Sequence, residues 1–477
     1  VSSFAGLSTA LSSLIAQRQA LEVAGQNVAN ANTKGYTRQR VDMQSVQALA
    51  APSMFSAQLG AGNGVKVVGI ERLGDIYLDA RLRSETATAS YTARRADALA
   101  RLETTVTEPK DTGFAATLQT FWAGWQDVAN HPEDAAARKV LVGAAQSVVM
   151  QIADGYRAVE TQWVQARTEA DTLATEVNTI AEGVAHLNER IRSILVSGGS
   201  ANELMDERDR LVTQLSGLVG AQARHRDDGT LDVMVGGNAL VRGVTVHPVE
   251  VRGSHTMAGG IAYPPAGDQA HLVWAETGTA VGLQGGRLAG TLEALAPADA
   301  DGQGGILAGA AVQWNRIAEA LRDTVNAVHA GAVRTDGTEG GDFFRTADGM
   351  PAALGLSVLV SAEEVAAAAP GAGPYDGSMA DAIARLADAT DGPDALWRDF
   401  VVDLGVRTRS AQQRATVTEA SRATAESLQL AQASVDLDEE TITMLAYQRA
   451  YEGAARVLTV IDEMLDVLIN RTGIVGR

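Results

Sequence analysis

The chain has 477 residues, 46% of them hydrophobic but only 4% aromatic, and its 39 basic and 58 acidic side chains leave a formal charge of −19. That length exceeds one compact core and predicts two to four domains, while the acidic excess argues against wrapping nucleic acid or an anionic membrane, which needs clustered Lys and Arg. With no cysteine, disulfides, thiolate chemistry and cysteine-type zinc sites are excluded, and no apolar run approaches the eighteen or so residues of a membrane span.

The opening stretch, VSSFAGLSTALSSLIAQRQALEVAG, is amphipathic and has no basic region ahead of its apolar positions. It is therefore predicted to be a helix and not a Sec signal peptide, a pattern that a substrate of a dedicated secretion channel would share. Phe4, Leu7, Leu11, Leu14, Leu21 and Val28 recur at alternating spacings of three and four, with Arg18 and Gly25 where two more apolar residues would fall. Such a seam needs a partner helix. Asn27, Asn30 and Asn32, followed by Thr33, Lys34, Gly35 and Tyr36, read as a helix end and a turn leading into an extended segment. Lys34, Arg38 and Arg40 read as solvated or pairing charges. Val65, Val67 and Ile70 then mark a short strand or hairpin.

Helical pattern resumes from about 77 to 106 and stops in the turn Glu108-Pro109-Lys110-Asp111. Leu118, Phe121, Trp122, Trp125 and Val128 form an aromatic stripe at helical spacing, which reads as core. Between 133 and 195 there is no Pro and little Gly. A helix of that length would reach roughly 90 Å, the arm of a rod-like bundle. Ser197-Gly198-Gly199-Ser200 turns it round, and ANELMDERDRL begins a second helix packing back. From about 220 to 290, valines alternating with polar residues around Gly236-Gly237-Asn238 predict short antiparallel strands, an inserted β module between helical arms. Helix returns at 306–330, followed by the loop RTDGTEGGDFF, a mixed segment to about 390, and a long helix over 394–433.

The last stretch, SVDLDEETITMLAYQRAYEGAARVLTVIDEMLDVLINR, carries a second seam: Met444, Tyr447, Tyr451, Ala454, Leu458, Ile461, Leu465 and Leu468. Asp436 with Glu439 predicts a capping box, and Asp438 and Glu440 add charge where the helix dipole favours it. Arg471 and Gly473 predict its stop. Two seams at opposite ends of one chain read as a pair.

Chemistry is sparse. The seven histidines are scattered, HExxH and GxSxG are absent, and Gly285 to Thr291 resembles a phosphate loop without its lysine. Asp299, Asp301 and Gly302 lack the spaced ligands of a calcium loop. The expectation is a protein with no catalytic residue, no cofactor and no metal.

The opening helix running into ANANTKGYTRQR resembles the N-terminal signature of the bacterial flagellar rod, hook and hook-associated protein family, on Asn27, Asn30, Asn32, Thr33, Gly35 and Tyr36. The last stretch resembles the same family's C-terminal signature, on Leu437, Asp438, Glu439, Glu440, Tyr447, Gln448 and Tyr451. ELMDERDRLVTQLSGLVG and GGDFF are similar to the hook-associated branch. The resemblance implies an exported structural subunit joining hook to filament outside the cell, self-associating head to tail in a ring or short helix. It further implies three partners: the hook protein below, hook-associated protein 3 above, and a cytoplasmic chaperone on the C-terminal helix before export.

The expected fold is α+β, mainly α, elongated and multi-domain. Residues 1–45 with 430–477 form a coiled-coil assembly unit, 46–220 with 291–429 a helical-bundle shaft, and 221–290 an outer β-rich domain. Two other readings stand beside this one: a distal rod or hook subunit of the same family, and a type III secreted coiled-coil translocator or effector. The second leaves ANANTKGYTRQR unexplained.

Overall fold

The computed structural model describes residues 3–47, 62–106, 108–261, 268–299 and 304–471. In chain order they form α1 (Ser3–Asn30), β1 (Gln39–Ser45), β2 (Val65–Arg72), α2 (Ile76–Glu103), α3 (Phe114–Asn130), α4 (Ala135–Val196) and α5 (Asn202–Val219). A strand-rich stretch follows: β3 (Gln222–His225), β4 (Leu231–Val235), β5 (Asn238–Arg242), β6 (Thr245–Val246), β7 (Val249–Arg252), the short α6 (Met257–Gly260) and β8 (His271–Trp274). Then come α7 (Arg287–Leu295), α8 (Ile306–His329), β9 (Phe344–Thr346), α9 (Ala352–Gly355), β10 (Leu356–Val358), α10 (Ser378–Ala384), α11 (Pro393–Ala433) and α12 (Leu437–Asp466). The fold is α+β and mainly helical.

The axis of the molecule is α4, whose 62 residues span roughly 93 Å. Asp134 caps it by accepting the Ala136 N–H at 2.8 Å. Leu141, Val148, Ile152, Val159, Trp163, Ala170, Val177, Val184 and Ile191 are all buried at spacings of four and seven, so one stripe stays covered along almost the full length. The covering elements are α3 and α8 towards one end and α5 and α7 towards the other. The aromatic stripe of α3 is core, with Phe121 and Trp125 meeting Phe343 and Phe344 of the GGDFF loop. α5 turns into the strands through Gly220, whose φ of 69° suits a residue without Cβ.

The strands β3-β4-β5-β6 form an antiparallel sheet and β7-β8 a hairpin. They lie against α4. Asn178 imitates a neighbouring strand, accepting the Val249 N–H at 2.9 Å and donating to the Val249 carbonyl at 2.8 Å. Asn188 does the same for Leu231 at 3.1 and 2.8 Å, and the buried Arg167 donates to the carbonyls of Val251 and Ser254. Buried strand residues such as Val233, Val241, Val249 and Leu272 belong to the same hydrophobic core as the helices.

A second, small core lies apart: Ala20, Val23 and Val41, with Met43, Val67, Ile70 and Tyr447 half-buried around them. It belongs to α1, α12 and the β1-β2 hairpin.

Candidate functional site

The two ends of the chain lie side by side. A Cβ on Gly6 would sit 3.2 Å from Ile461, while Ala20 and Val23 share a core with Tyr447, so α1 and α12 run antiparallel. The face that α1 buries is not the leucine seam that its spacing predicts. Ala10, Ala16, Ala20, Val23, Ala24 and Asn27 are buried, whereas Leu11 is 50% and Val28 37% exposed. The buried face is offset by one residue, about 100° of helix rotation. Small residues win because the hairpin packs on α1 as well: Val65 donates to Ser12 Oγ at 3.3 Å, and Gly64 touches the same turn. Arg18 faces solvent and pairs with Glu22. Leu7, Leu14 and Leu21 are half-buried at the margin. On α12, Ala454 is buried, and Met444, Tyr447, Tyr451, Leu458, Ile461 and Leu465 are half-buried. Gln448 and Leu437 face outward. The side chains of Phe4 and Leu468 lie outside the described residues, as does Gly473; the helix passes into a π turn over Val467–Arg471.

The asparagine-rich motif is a lock on the turn between helix and strand. Asn27 Nδ2 donates to the Gln39 carbonyl at 2.8 Å, and its Oδ1 accepts from Tyr36 Oη and Gln39 N, both at 2.9 Å. Asn30 Oδ1 accepts from Thr33 Oγ1, and the Thr33 N–H donates to the Asn30 carbonyl. Gly35 takes φ 85°, which favours glycine. Asn32 and Lys34 are exposed. Burial, together with the carboxylates of Glu203, Asp206 and Glu440, pushes the Tyr36 phenol up to about 12.

Arg38 joins the two termini. Its Nε donates to Glu440 at 2.6 Å and its Nη1 to Glu439 at 2.8 Å. Burial opposes its charge, but the two carboxylates prevail and raise its pKa. The expected reciprocal capping box is therefore incomplete: Asp436 accepts the N–H groups of Asp438 and Glu439, while the Glu439 side chain is taken by Arg38.

A second polar cluster ties this unit to α5. Arg72 Nη2 lies 2.7 Å from Asp206 and 2.9 Å from Asp209, Thr37 N donates to Asp206, and Asn202 donates to Gln39 Oε1 and the Ile70 carbonyl. Burial raises the Asp206 carboxyl in spite of Arg72 beside it. The sequence signal for this cluster was slight: Asp206 and Asp209 share one face of ELMDERDRL, and Arg72 is far away in the chain.

The site offers exposed apolar surfaces. Ile442, Leu445, Val457, Val460 and Met464 on α12 and Leu11 and Ile15 on α1 are exposed. Among the described residues no group of three or more His, Asp or Glu is placed to hold a metal, and no helix is long and apolar enough to cross a membrane. Asp301 and Gly302 lie outside the described residues.

Three family models match parts of the chain. The flagellar hook-associated protein FlgK helical domain matches residues 99–344, the flagella basal body rod protein model residues 7–37, and the flagellar basal body rod FlgEFG protein C-terminal model residues 429–471. The chain is 29% identical to flagellar hook-associated protein 1 of Bacillus subtilis over the full length of both. It is 29% identical to the protein of that name from Salmonella typhimurium over 70% of this chain and 58% of the relative. With the Escherichia coli protein of that name, identity is 30% over 50% of this chain and 43% of the relative. The solved structure of the flagellar hook junction protein FlgK from Burkholderia pseudomallei shares the fold at TM-score 0.61 and 16% identity, covering 75% of this chain and all of that one.

Proposed function

Because the chain belongs to the flagellar hook-associated protein family, we propose that it is the structural subunit of the hook–filament junction, assembled by packing its two terminal helices against neighbouring axial subunits. The observation that carries this reading is the pairing of α1 with α12 while both keep apolar rows turned outward. An isolated chain leaves those rows in water, and apolar area of this kind is stabilised when a second surface covers it. The assembly residues are Phe4, Leu7, Leu11, Leu14, Leu21 and Val28 on α1 and Met444, Tyr447, Tyr451, Leu458, Ile461, Leu465 and Leu468 on the C-terminal helix, with Leu437, Glu439, Glu440 and Gln448 at its start and middle. Asn27, Asn30, Asn32, Thr33, Gly35 and Tyr36 serve by fixing where α1 ends.

Residues 1–45 with 430–477 act as the assembly unit, to which β2 adds its pairing with β1, the rest of 46–220 with 291–429 as the shaft, and 221–290 as the outward region. Copies meet head to tail, a heterologous contact that builds a ring or short helix. The hook protein lies below and hook-associated protein 3 above, outside the cell, and a cytoplasmic chaperone covers α12 before export. The chain works without catalysis.

The test is a strain lacking this chain, complemented with the full-length double variant Val457→Asp, Val460→Asp. Both positions are exposed, so the purified variant should melt with the parent. Hooks should persist while filament protein is shed into the medium and motility is lost. Normal filaments in this strain, and in one lacking 437–471, would remove the basis of the proposal.

A further inference from the structure

The paired termini and the shaft are joined through short connections. Among the described residues the chain crosses between them at two places, 73–75 between β2 and α2 and 434–436 between α11 and α12. These crossings run together. The Arg38 N–H donates to the Ala433 carbonyl at 2.8 Å, and the Arg38 carbonyl accepts from Leu73 N at 2.8 Å, so one residue stitches both strands of the connection. Among the described residues no hydrophobic cluster spans the joint: the core around Ala20, Val23 and Val41 shares no residue with the core of the shaft.

What does span it is polar. Arg72 on β2 reaches Asp206 and Asp209 on α5, Thr37 N donates to Asp206, and Gln39 meets Asn202 and Glu203. The charges around this contact are Arg83 at 3.4 Å and Arg208 at 4.0 Å from Asp209, both from the shaft. On the terminal side stand Arg38, Glu439 and Glu440. Beside it opens a cleft of about 800 Å³ between β2 and the α4–α5 turn, bordered by Val68, Ile76, Leu195, Gly199 and Met205 and reaching Asp79 and His225. Val68 has no partner across the hairpin, because the β1-β2 register shifts there, and it is exposed.

We propose that the terminal unit is hinged on the shaft at 73–75 and 434–436 and is held in one pose by a polar latch, Arg72 between Asp206 and Asp209. Two short connections side by side define a hinge axis. The Arg72, Asp206 and Asp209 side chains are each less than one-fifth exposed, so salt screens them weakly and the latch is opened by removing one of its charges. The open cleft gives the unit room to swing. This inference is independent of what the outer helical rows bind.

The chain has no cysteine, so paired labels can be placed cleanly on the full-length protein. Spin labels at Lys66→Cys and Ser193→Cys, both exposed, report the distance across the cleft, and a reference pair at Thr120→Cys and Ser193→Cys lies wholly on the shaft. The parent should give a first distribution as narrow as the reference. Arg72→Gln and Asp206→Asn, each with melting and circular dichroism checked, should broaden the first distribution about twofold and leave the reference sharp. A cleft distance in the parent far broader than the reference would overturn the latch even if both variants failed to fold. So would a folded Arg72→Gln protein that keeps the parent distribution, or broadening of the reference pair as well.

Discussion

Asn27 satisfies, with one amide, three groups that the turn after α1 would otherwise leave unpaired: the Gln39 carbonyl, the Gln39 N–H and the Tyr36 hydroxyl. Replacing it by Ala should cost about 1–3 kcal/mol for each buried group left without a partner. The loss is local, so hydrogen exchange at the Gln39 amide should accelerate at least about tenfold while shaft amides keep their protection. Unchanged exchange at Gln39 would mean that the backbone holds this turn unaided. His329 is a second residue whose worth can be tested alone. It is fully buried; its Nδ1 lies 2.7 Å from the Gly341 carbonyl, and its Nε2 accepts the Ala366 N–H at 3.0 Å, which fixes the neutral tautomer. Burial lowers its pKa below the ordinary 6.5. The folded state therefore holds fewer protons than the unfolded one once pH falls below 6.5. This contribution to stability is full above that value and drains away below it. Thermal midpoints measured from pH 7 to pH 5 should fall more steeply in the parent than in His329→Gln, and parallel curves would contradict the assignment.

At the scale of elements, α4 shows what a single sequence reveals and what it hides. Its length was legible, because sixty residues without Pro and with little Gly leave few places to stop a helix, and its buried stripe follows directly from spacing. Its glycines were not. A Cβ at Gly155 would lie 2.2 Å from the Trp314 ring, so the absence of a side chain admits α8 to close packing. Gly155→Ala should destabilise the shaft by about 1–3 kcal/mol despite the better helix propensity of Ala, because the indole has no free direction. An unchanged or raised denaturation midpoint would show that Trp314 relocates freely. The same limit explains α1: leucine spacing marks the most hydrophobic face, but the hairpin and α12 together select the smallest face, and only the fold shows that two neighbours compete. The cap of α12 failed for a related reason, since Glu439 is within reach of Arg38 across some four hundred residues of sequence, which local pattern cannot see. The Asn27 motif was legible as a turn, and its hydrogen bonds were not.

For the molecule as a whole, the question is whether the strand-rich stretch is an appendage or part of the shaft. Its two ends meet: the backbone at Gly220 lies against Gly285, close enough that a Cβ there would stand 3.2 Å from the Gly285 N, and Gly286 abuts Leu218 and Val219. A short glycine bridge from 220 to 285 could therefore close the gap left by removing 221–284. That topology is the one expected of an inserted domain that can be cut away without penalty. The packing argues the other way. Removal would strip the backbone partners from Asn178, Asn188 and Arg167 on α4, and would uncover the face on which Ala181 and Ala185 lie between the two asparagines. The uncovered polar groups then find water, so the cost lies in the apolar cover that α4 loses, about 1.5–3 kcal/mol for each large side chain exposed, and the remaining chain should melt about 5 °C or more below the parent. Restoring solubility with Ala181→Glu and Ala185→Lys on the uncovered face should recover little of that loss, since the strands also bury Val233, Val241 and Leu272 in the common core. If the shortened chain instead melts with the parent, the strands are passengers on a self-sufficient helical shaft, and the single core that runs through both is an adhesion between independent units.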